Sequence, residues 1–248
     1  MTQAPKTFSE LVGYQPKPFD PHSEVHGTTV LALEYDQGIL TFADRRATMG
    51  NMIMFDMAEK VFALDDRTVV AISGSFARSI EICRLLKHSF KYYRRMQLGE
   101  MSLEGKLQEI SRALASNLGM AMEGIGVFLP IVAAYDQKSG RFGVYFFDTA
   151  GARFQSGPFA AAGSGSTQIR GIFDYITKHK GPFDQRSLED VLCDGLEMLE
   201  IAASLDSATG GIVKHEPVVR VLTSVGTKPL DDRVLKSALA KLGPNNKN

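Results

Sequence analysis

From position 28 onward the chain alternates between strand texture and helix texture. "TTVLALEY" and "ILTFADRR" are apolar, β-branched runs on either side of a turn at Asp36-Gln37-Gly38, the pattern of a β-hairpin. "KVFALD" and "TVVAISG" repeat that pattern across Asp65-Asp66, so four strands are predicted within residues 28–74 and should make a sheet. The period then changes. Phe76, Ile80, Cys83, Leu86, Phe90 and Tyr93 recur at helical spacing, and Leu103, Leu107, Ile110, Leu114 and Leu118 follow behind Ser102, a plausible N-cap. Strand texture returns in "VFLPIVAAYD", "RFGVYFFDT" and a short run ending in "FAAAGSGS". Helices are predicted over 167–179 and 187–205, the second opening on Ser187-Leu188-Glu189-Asp190, a relative of the capping box. "PVVRVLTSV" reads as the last strand and "LDDRVLKSALAKL" as the last helix. Short turns between consecutive strands imply largely antiparallel sheets with helices packed outside them. After Thr28 no linker or repeat divides the chain, so a single domain is expected.

Residues 1–27 contrast with all of this. Pro5, Pro16, Pro18 and Pro21 sit among polar residues, a composition that resists helix and sheet alike. Only "FSELVGY" could fold locally, and "GPNNKN" at the other end is expected to fray. The 248 residues carry 28 basic and 28 acidic side chains and a formal net charge of zero. With no long basic stripe carrying interleaved aromatics, a nucleic-acid partner is not expected. The longest apolar stretch, Gly124 to Tyr135, contains Pro130 and is too short to span a bilayer, so no membrane role is expected either. Cys83 and Cys193 stand far apart without ligand-spaced neighbours, which points to reduced thiols rather than a disulfide or a metal site. The leader lacks the apolar core of a secretory signal, so a cytoplasmic location is the expectation.

The chemistry-bearing residues begin where the leader stops. Gly27-Thr28-Thr29 admits two readings: Thr28 and Thr29 are strand residues, or cleavage after Gly27 turns Thr28 into a new N-terminus. In the second reading one residue holds a hydroxyl nucleophile and an α-amine that titrates near ~7.7–8.0 and can take the proton. Gly27 adds no side chain to crowd attack on its own carbonyl. Asp44, Arg45 and Arg46 emerge from an apolar run and must face solvent or be paired. Lys60 opens the next strand; burial would disfavour its ammonium form and a buried Asp44 would restore it, unless each is an ordinary strand-end charge. "GSGS" at 163–166 lacks the Lys of a phosphate loop. In "DSATGG", at 206–211, Asp206 can offer a carboxylate to a neighbouring amine or hydroxyl, or Gly210 and Gly211 can simply close a helix.

Taken in order, Gly27-Thr28-Thr29, "ADRRAT" with Asp44 and Arg46, Lys60, "ISGS" with Gly74, "GSGS" with Ser164, and "DSATGG" with Asp206 resemble a proteasome β subunit of the actinobacterial type. The similarity runs from Thr28 to the final helix. It implies an α+β N-terminal-nucleophile hydrolase fold, a four-layer αββα sandwich with two antiparallel sheets, in which residues 1–27 form a propeptide removed autocatalytically and 28–248 form the hydrolase domain. It further implies a threonine endopeptidase with Thr28 as nucleophile and Asp44 and Lys60 as its electrostatic partners. Ser164, Asp206 and Thr209 would support the α-amine, Arg46 would brace the site, and the Gly74 N–H would serve as oxyanion donor. Thr48 and Gly74 would pair with an extended substrate backbone. Ala47, Ala58 and Ile72 would line a pocket that prefers apolar side chains. No cofactor or metal is implied. The implied partners are α-type subunits and other β subunits in stacked heptameric rings, an ATP-dependent unfoldase, and unfolded polypeptide substrates.

Two other readings share this fold. A simpler bacterial protease paired with an unfoldase usually begins almost directly with its nucleophile and is shorter, so the leader and the late helix here speak against it. A noncatalytic ring or scaffold subunit would have no need for Thr28, Asp44 and Lys60 together.

Overall fold

The computed structural model describes residues 28–49 and 52–242. The leader with Gly27 and the "GPNNKN" tail, on which expectations were placed above, lie outside the described residues. Two five-stranded sheets, each antiparallel throughout, form the centre. The first holds β1 (Thr29–Tyr35) and β2 (Gly38–Ala43), joined by the expected tight turn, with Tyr35 facing Gly38. β1 is flanked on its other side by β10 (Phe159–Gly163), while β2 pairs with β11 (Val218–Thr223), which pairs with β12 (Gly226–Pro229). The second sheet runs in chain order through β5 (Val61–Asp65), β6 (Thr68–Ala71), β7 (Ile131–Asp136), β8 (Arg141–Phe147) and β9 (Arg153–Gln155).

Strand side chains alternate between two faces, and here both faces of the central strands are buried. In β1, Val30 and Ala32 point toward the second sheet and meet Val69, Ala71, Ile131 and Ala133. The residues between them, Leu31 and Leu33, join Phe42, Phe173, Leu192 and Leu196 on the opposite side. That outer layer comprises α4 (Ser166–Lys180), α5 (Leu188–Leu205) and α6 (Asp232–Leu242). On the far side of the second sheet, Val70, Ile72 and Val132 pack against Ile82, Leu86, Leu107 and Ile110. These last four belong to α1 (Phe76–Gln97) and α2 (Leu103–Ser116). Small and β-branched side chains fill the seam between the sheets and larger ones fill the helix-facing layers; each large apolar side chain so buried contributes roughly 1.5–3 kcal/mol. The result is the αββα sandwich.

Several details differ from the sequence expectation. The four early strands do not make one sheet: β1 and β2 belong to one, β5 and β6 to the other, because a short turn specifies the local partner but not the sheet. Between these pairs lies a separate hairpin, β3 (Ala47–Met49) with β4 (Met52–Phe55). All four residues of β4 are exposed, so burial left no alternation to read. The helix expected to continue to Leu118 ends at Ser116, and a short α3 (Leu118–Met122) follows. Asn117 sits at the break, donating from Nδ2 to the Gly126 carbonyl at 2.6 Å and accepting from Arg78 Nε at 2.7 Å. The apolar run from Gly124 becomes strand only at Ile131, after Pro130, which lacks a ladder donor. Among the described residues no helix is long and apolar enough to cross a membrane.

Candidate active site

Thr28 immediately precedes β1 and is 5% exposed. Its peptide N–H donates to Ser164 Oγ at 3.3 Å, from the turn that follows β10. Thr29 is the first paired residue of β1 and faces Gly163. Gly163 has φ +95°, and a Cβ there would stand 1.8 Å from the Thr28 carbonyl oxygen. Only glycine accepts that dihedral readily, and only glycine allows β10 to lie so close to the Thr28 backbone.

β2 delivers the next group. Asp44 follows its last residue and is fully enclosed, and Lys60 enters from the start of β5. Lys60 Nζ donates to Asp44 Oδ1 at 2.7 Å, with the two side chains 1% and 0% exposed. The same oxygen accepts the Thr29 N–H at 3.0 Å. Asp44 Oδ2 accepts from the backbone N–H groups of Arg46 and Gly210, both at 2.9 Å. A buried carboxylate with four donors is well satisfied. Lys60 also donates to the Arg46 carbonyl at 2.5 Å. Burial pushes the Lys60 ammonium below its ordinary pKa, with Asp44 opposing that shift.

A second carboxylate completes the network. Asp206 follows α5, where the helix ends with the Asp206 N–H on the Ala202 carbonyl at 2.8 Å. Its Oδ2 accepts from Ser164 Oγ and Thr209 Oγ1, each at 2.5 Å, and its Oδ1 accepts the Ala208 N–H at 3.2 Å. The Thr209 and Thr29 hydroxyls lie 2.6 Å apart. A chain of hydrogen bonds therefore runs from the Thr28 nitrogen through Ser164 and Asp206 to the Thr209 and Thr29 hydroxyls, while the Thr29 N–H separately binds Asp44. Arg46 lies over it: Nη1 donates to the carbonyls of Ser207 at 3.0 Å and Thr209 at 3.3 Å, while Nε reaches Asp56 at 3.2 Å.

The remaining candidates form the surroundings. Gly74 has φ +98° and bridges Phe128. The bonds closing that bridge come from its neighbours, Ser75 N to Val127 O at 2.7 Å and Leu129 N to Ser73 O at 3.0 Å. Gly74 is thus in the non-hydrogen-bonded register, where its own N–H is directed away from the partner strand. A Cβ on Gly74 would meet the Val127 carbonyl oxygen at 2.3 Å. Ile72 donates its N–H to the Lys60 carbonyl and Ala58 donates to the Arg45 carbonyl, both at 2.9 Å; both side chains are buried. Ala47 and Thr48 are in β3, Thr48 facing Ile53 across the hairpin.

Three participants escaped the sequence reading: Thr29, Asp56 and the Gly210 N–H. Thr29 shares a dipeptide with Thr28, so its separate role had no distinguishing pattern. Gly210 contributes only backbone. Asp56 had a signal, as the one acid in "MIMFDM".

Around the Thr28 nitrogen the fold thus gathers two carboxylates, a buried ammonium and the hydroxyls of Ser164 and Thr209, the kinds of group that activate a nucleophile. A family model described as proteasome subunit matches residues 24–215. The chain is 37% identical over 221 residues to the proteasome subunit beta of Acidothermus cellulolyticus, covering 86% of this chain and 73% of that relative. It is similar to the proteasome subunit beta of Streptomyces griseus, at 33% over 211 residues, 84% of this chain and 73% of the relative. That of Jonesia denitrificans matches at 34% over 216 residues, 86% of this chain and 70% of the relative.

Proposed function

The chain belongs to the proteasome β-subunit family, and from that premise we propose that it is a catalytic subunit, a threonine endopeptidase that frees Thr28 by cutting after Gly27. The observation that carries this reading is the Asp44 carboxylate. One of its oxygens binds both Lys60 Nζ and the Thr29 N–H, which fixes a cation and the backbone of the nucleophile's neighbour on a single atom.

In this mechanism residues 1–27 are a propeptide that blocks the α-amine until assembly. In self-cleavage Thr28 Oγ adds to the Gly27 carbonyl, and the Gly27–Thr28 C–N bond breaks as the Thr28 nitrogen takes the hydroxyl proton. Water then hydrolyses the resulting ester, releasing residues 1–27 as a carboxylic acid and leaving residues 28–248 as the working domain. In substrate turnover the Thr28 hydroxyl adds to the scissile carbonyl and passes its proton to the α-amine. The amine of the leaving peptide takes that proton as the C–N bond breaks. A water then adds to the Thr28 ester, the ester C–O bond breaks, and the acyl peptide leaves as a carboxylic acid. Lys60 supplies positive potential for the alkoxide character of Oγ. The Ser164–Asp206–Thr209 group orients the amine, Arg46 braces the loop carrying Asp206 and Thr209, and the Gly74 N–H stabilises the oxyanion, a role worth ~2.7–4 kcal/mol for such donors in general. Thr48 and Gly74 hold the substrate backbone, a sequence-tolerant mode, and Ala47, Ala58 and Ile72 favour apolar residues before the cut.

The proposed partners are α-type subunits, other β subunits in stacked heptameric rings, and an ATP-dependent unfoldase that feeds unfolded chains. Met49, Met52, Ile53, Met54, Phe55 and Met57 are all exposed around the β3–β4 hairpin, a cluster of the kind that marks interaction surfaces. The test is hydrolysis of short fluorogenic peptides by the assembled particle. Peptides with an apolar residue before the cut should be cleaved, and Thr28→Ala should show no turnover; equal activity in that variant would overturn the assignment.

A further inference from the structure

Asp56 belongs to none of the motifs in the sequence, yet it joins two segments that meet at the candidate site. It stands one residue beyond β4, with its side chain 15% exposed. Oδ1 accepts from Arg46 Nε at 3.2 Å, and Oδ2 accepts from Lys214 Nζ at 3.0 Å, with His215 Nε2 3.9 Å away. Hydrogen bonds from Lys214 and Arg46 outweigh its partial burial and hold the carboxyl below the usual carboxylate range.

The guanidinium that Asp56 holds is the one that donates to the carbonyls of Ser207 and Thr209. A guanidinium is a planar fork, so fixing Nε also fixes the direction of Nη1. From those carbonyls the chain leads directly to the Thr209 hydroxyl and the Asp206 carboxylate, and through Ser164 to the Thr28 nitrogen. Lys214, further along the same loop, is secured by the other Asp56 oxygen. One side chain therefore ties the 207–214 loop to the corner at Arg46 from two points.

We propose that Asp56 is a positioning residue for this threonine nucleophile, acting through Arg46 to set the 206–209 loop; the inference rests on the threonine-protease reading. Without it, Arg46 keeps its two carbonyl acceptors but loses the contact that orients its plane. The loop then samples arrangements in which Ser164 and Asp206 no longer hold the amine, and chemistry suffers more than substrate binding.

The experiment compares wild type, Asp56→Ala, Asp56→Glu, Lys214→Ala and the Asp56→Ala/Lys214→Ala double variant as assembled particles, with kcat and KM from an apolar fluorogenic peptide. Loss of a charge-assisted hydrogen bond that orients the site should lower kcat about tenfold in Asp56→Ala, with KM within about twofold of wild type. Asp56→Glu should recover most of the rate. Because Lys214 is 70% exposed and acts through Asp56, its replacement should have a small effect, and none in the Asp56→Ala background. An unchanged kcat in Asp56→Ala, or a change confined to KM, would each overturn the proposal. If Asp56→Ala does not assemble, Asp56→Asn is read against the same limits. A wild-type particle without peptidase activity would instead refute the protease reading, so the two failures are distinguishable.

Discussion

Replacing Lys60 with Met removes the buried cation and keeps most of its volume. Asp44 is then a buried carboxylate without its ammonium partner, although the N–H groups of Thr29, Arg46 and Gly210 remain on it. Breaking a buried pair costs about 3–5 kcal/mol, and the three surviving donors place this case near the lower limit. For a chain of 248 residues a loss of ~3 kcal/mol lowers Tm by about 6–12 °C. The catalytic loss is separate. For the proposed pairing of Lys60 with the Thr28 alkoxide, a unit charge at a contact separation of ~4 Å with an effective dielectric near 20 amounts to ~4 kcal/mol, which is about a thousandfold in rate. In the proposed mechanism leader removal uses the same attack by Thr28, so it should fail together with peptide turnover. Peptidase assays well below the variant's Tm, beside intact mass for processing, separate the two effects. Processed Lys60→Met particles retaining more than about a tenth of wild-type kcat would refute the reasoning.

Asp194 provides the matching control. It is buried at 3% exposure between Lys180 Nζ at 2.7 Å and Arg186 Nη1 at 2.6 Å, remote from Thr28 in the hydrogen-bond network. Asp194→Ala strands the mostly buried Arg186 and should cost about 3 kcal/mol in urea unfolding while assembled particles keep wild-type kcat. Gly163→Ala should abolish turnover, because its Cβ would stand 1.8 Å from the Thr28 carbonyl oxygen; a peptidase assay on the purified particle decides it. Burial pushes the Cys83 thiol up to about 12, whereas the unfolded chain loses that proton near ~8.5. Between those values the folded state binds more protons, so Cys83 makes stability fall as pH rises. Cys83→Ala should flatten that part of the stability–pH curve, and thiol reagents should label native Cys83 far more slowly than the unfolded chain.

Much of the candidate site could be read before the structure because its members are anchored to abrupt changes of texture. Thr28 stands where the polar leader yields to β1, Asp44 where β2 ends in charge, Lys60 where β5 begins, and Asp206 where α5 stops. That helices pack outside antiparallel sheets was also legible, since paired strands and paired helices alternate, whereas the four-layer order was implied by the family resemblance. What escaped detection depends on long-range placement. Nothing local says that the hairpin β1–β2 and the pair β5–β6 belong to different sheets, because each pair satisfies its own turn. β3 and β4 went unseen because their exposed Met52–Phe55 run has the composition of a core segment and neither period. Asp56 and the Gly210 N–H matter only through partners such as Arg46 and Asp44, between 10 and 166 residues away.

The central claim is covalent, and intact mass of the chain co-produced with the proposed α-type partner tests it most directly, wild type beside Thr28→Ala. The account predicts that the assembled wild-type chain begins at Thr28 and that the Thr28→Ala chain keeps its leader. An assembled wild-type particle still carrying residues 1–27 would have no free amine at Thr28, and would contradict the account in favour of a scaffold subunit.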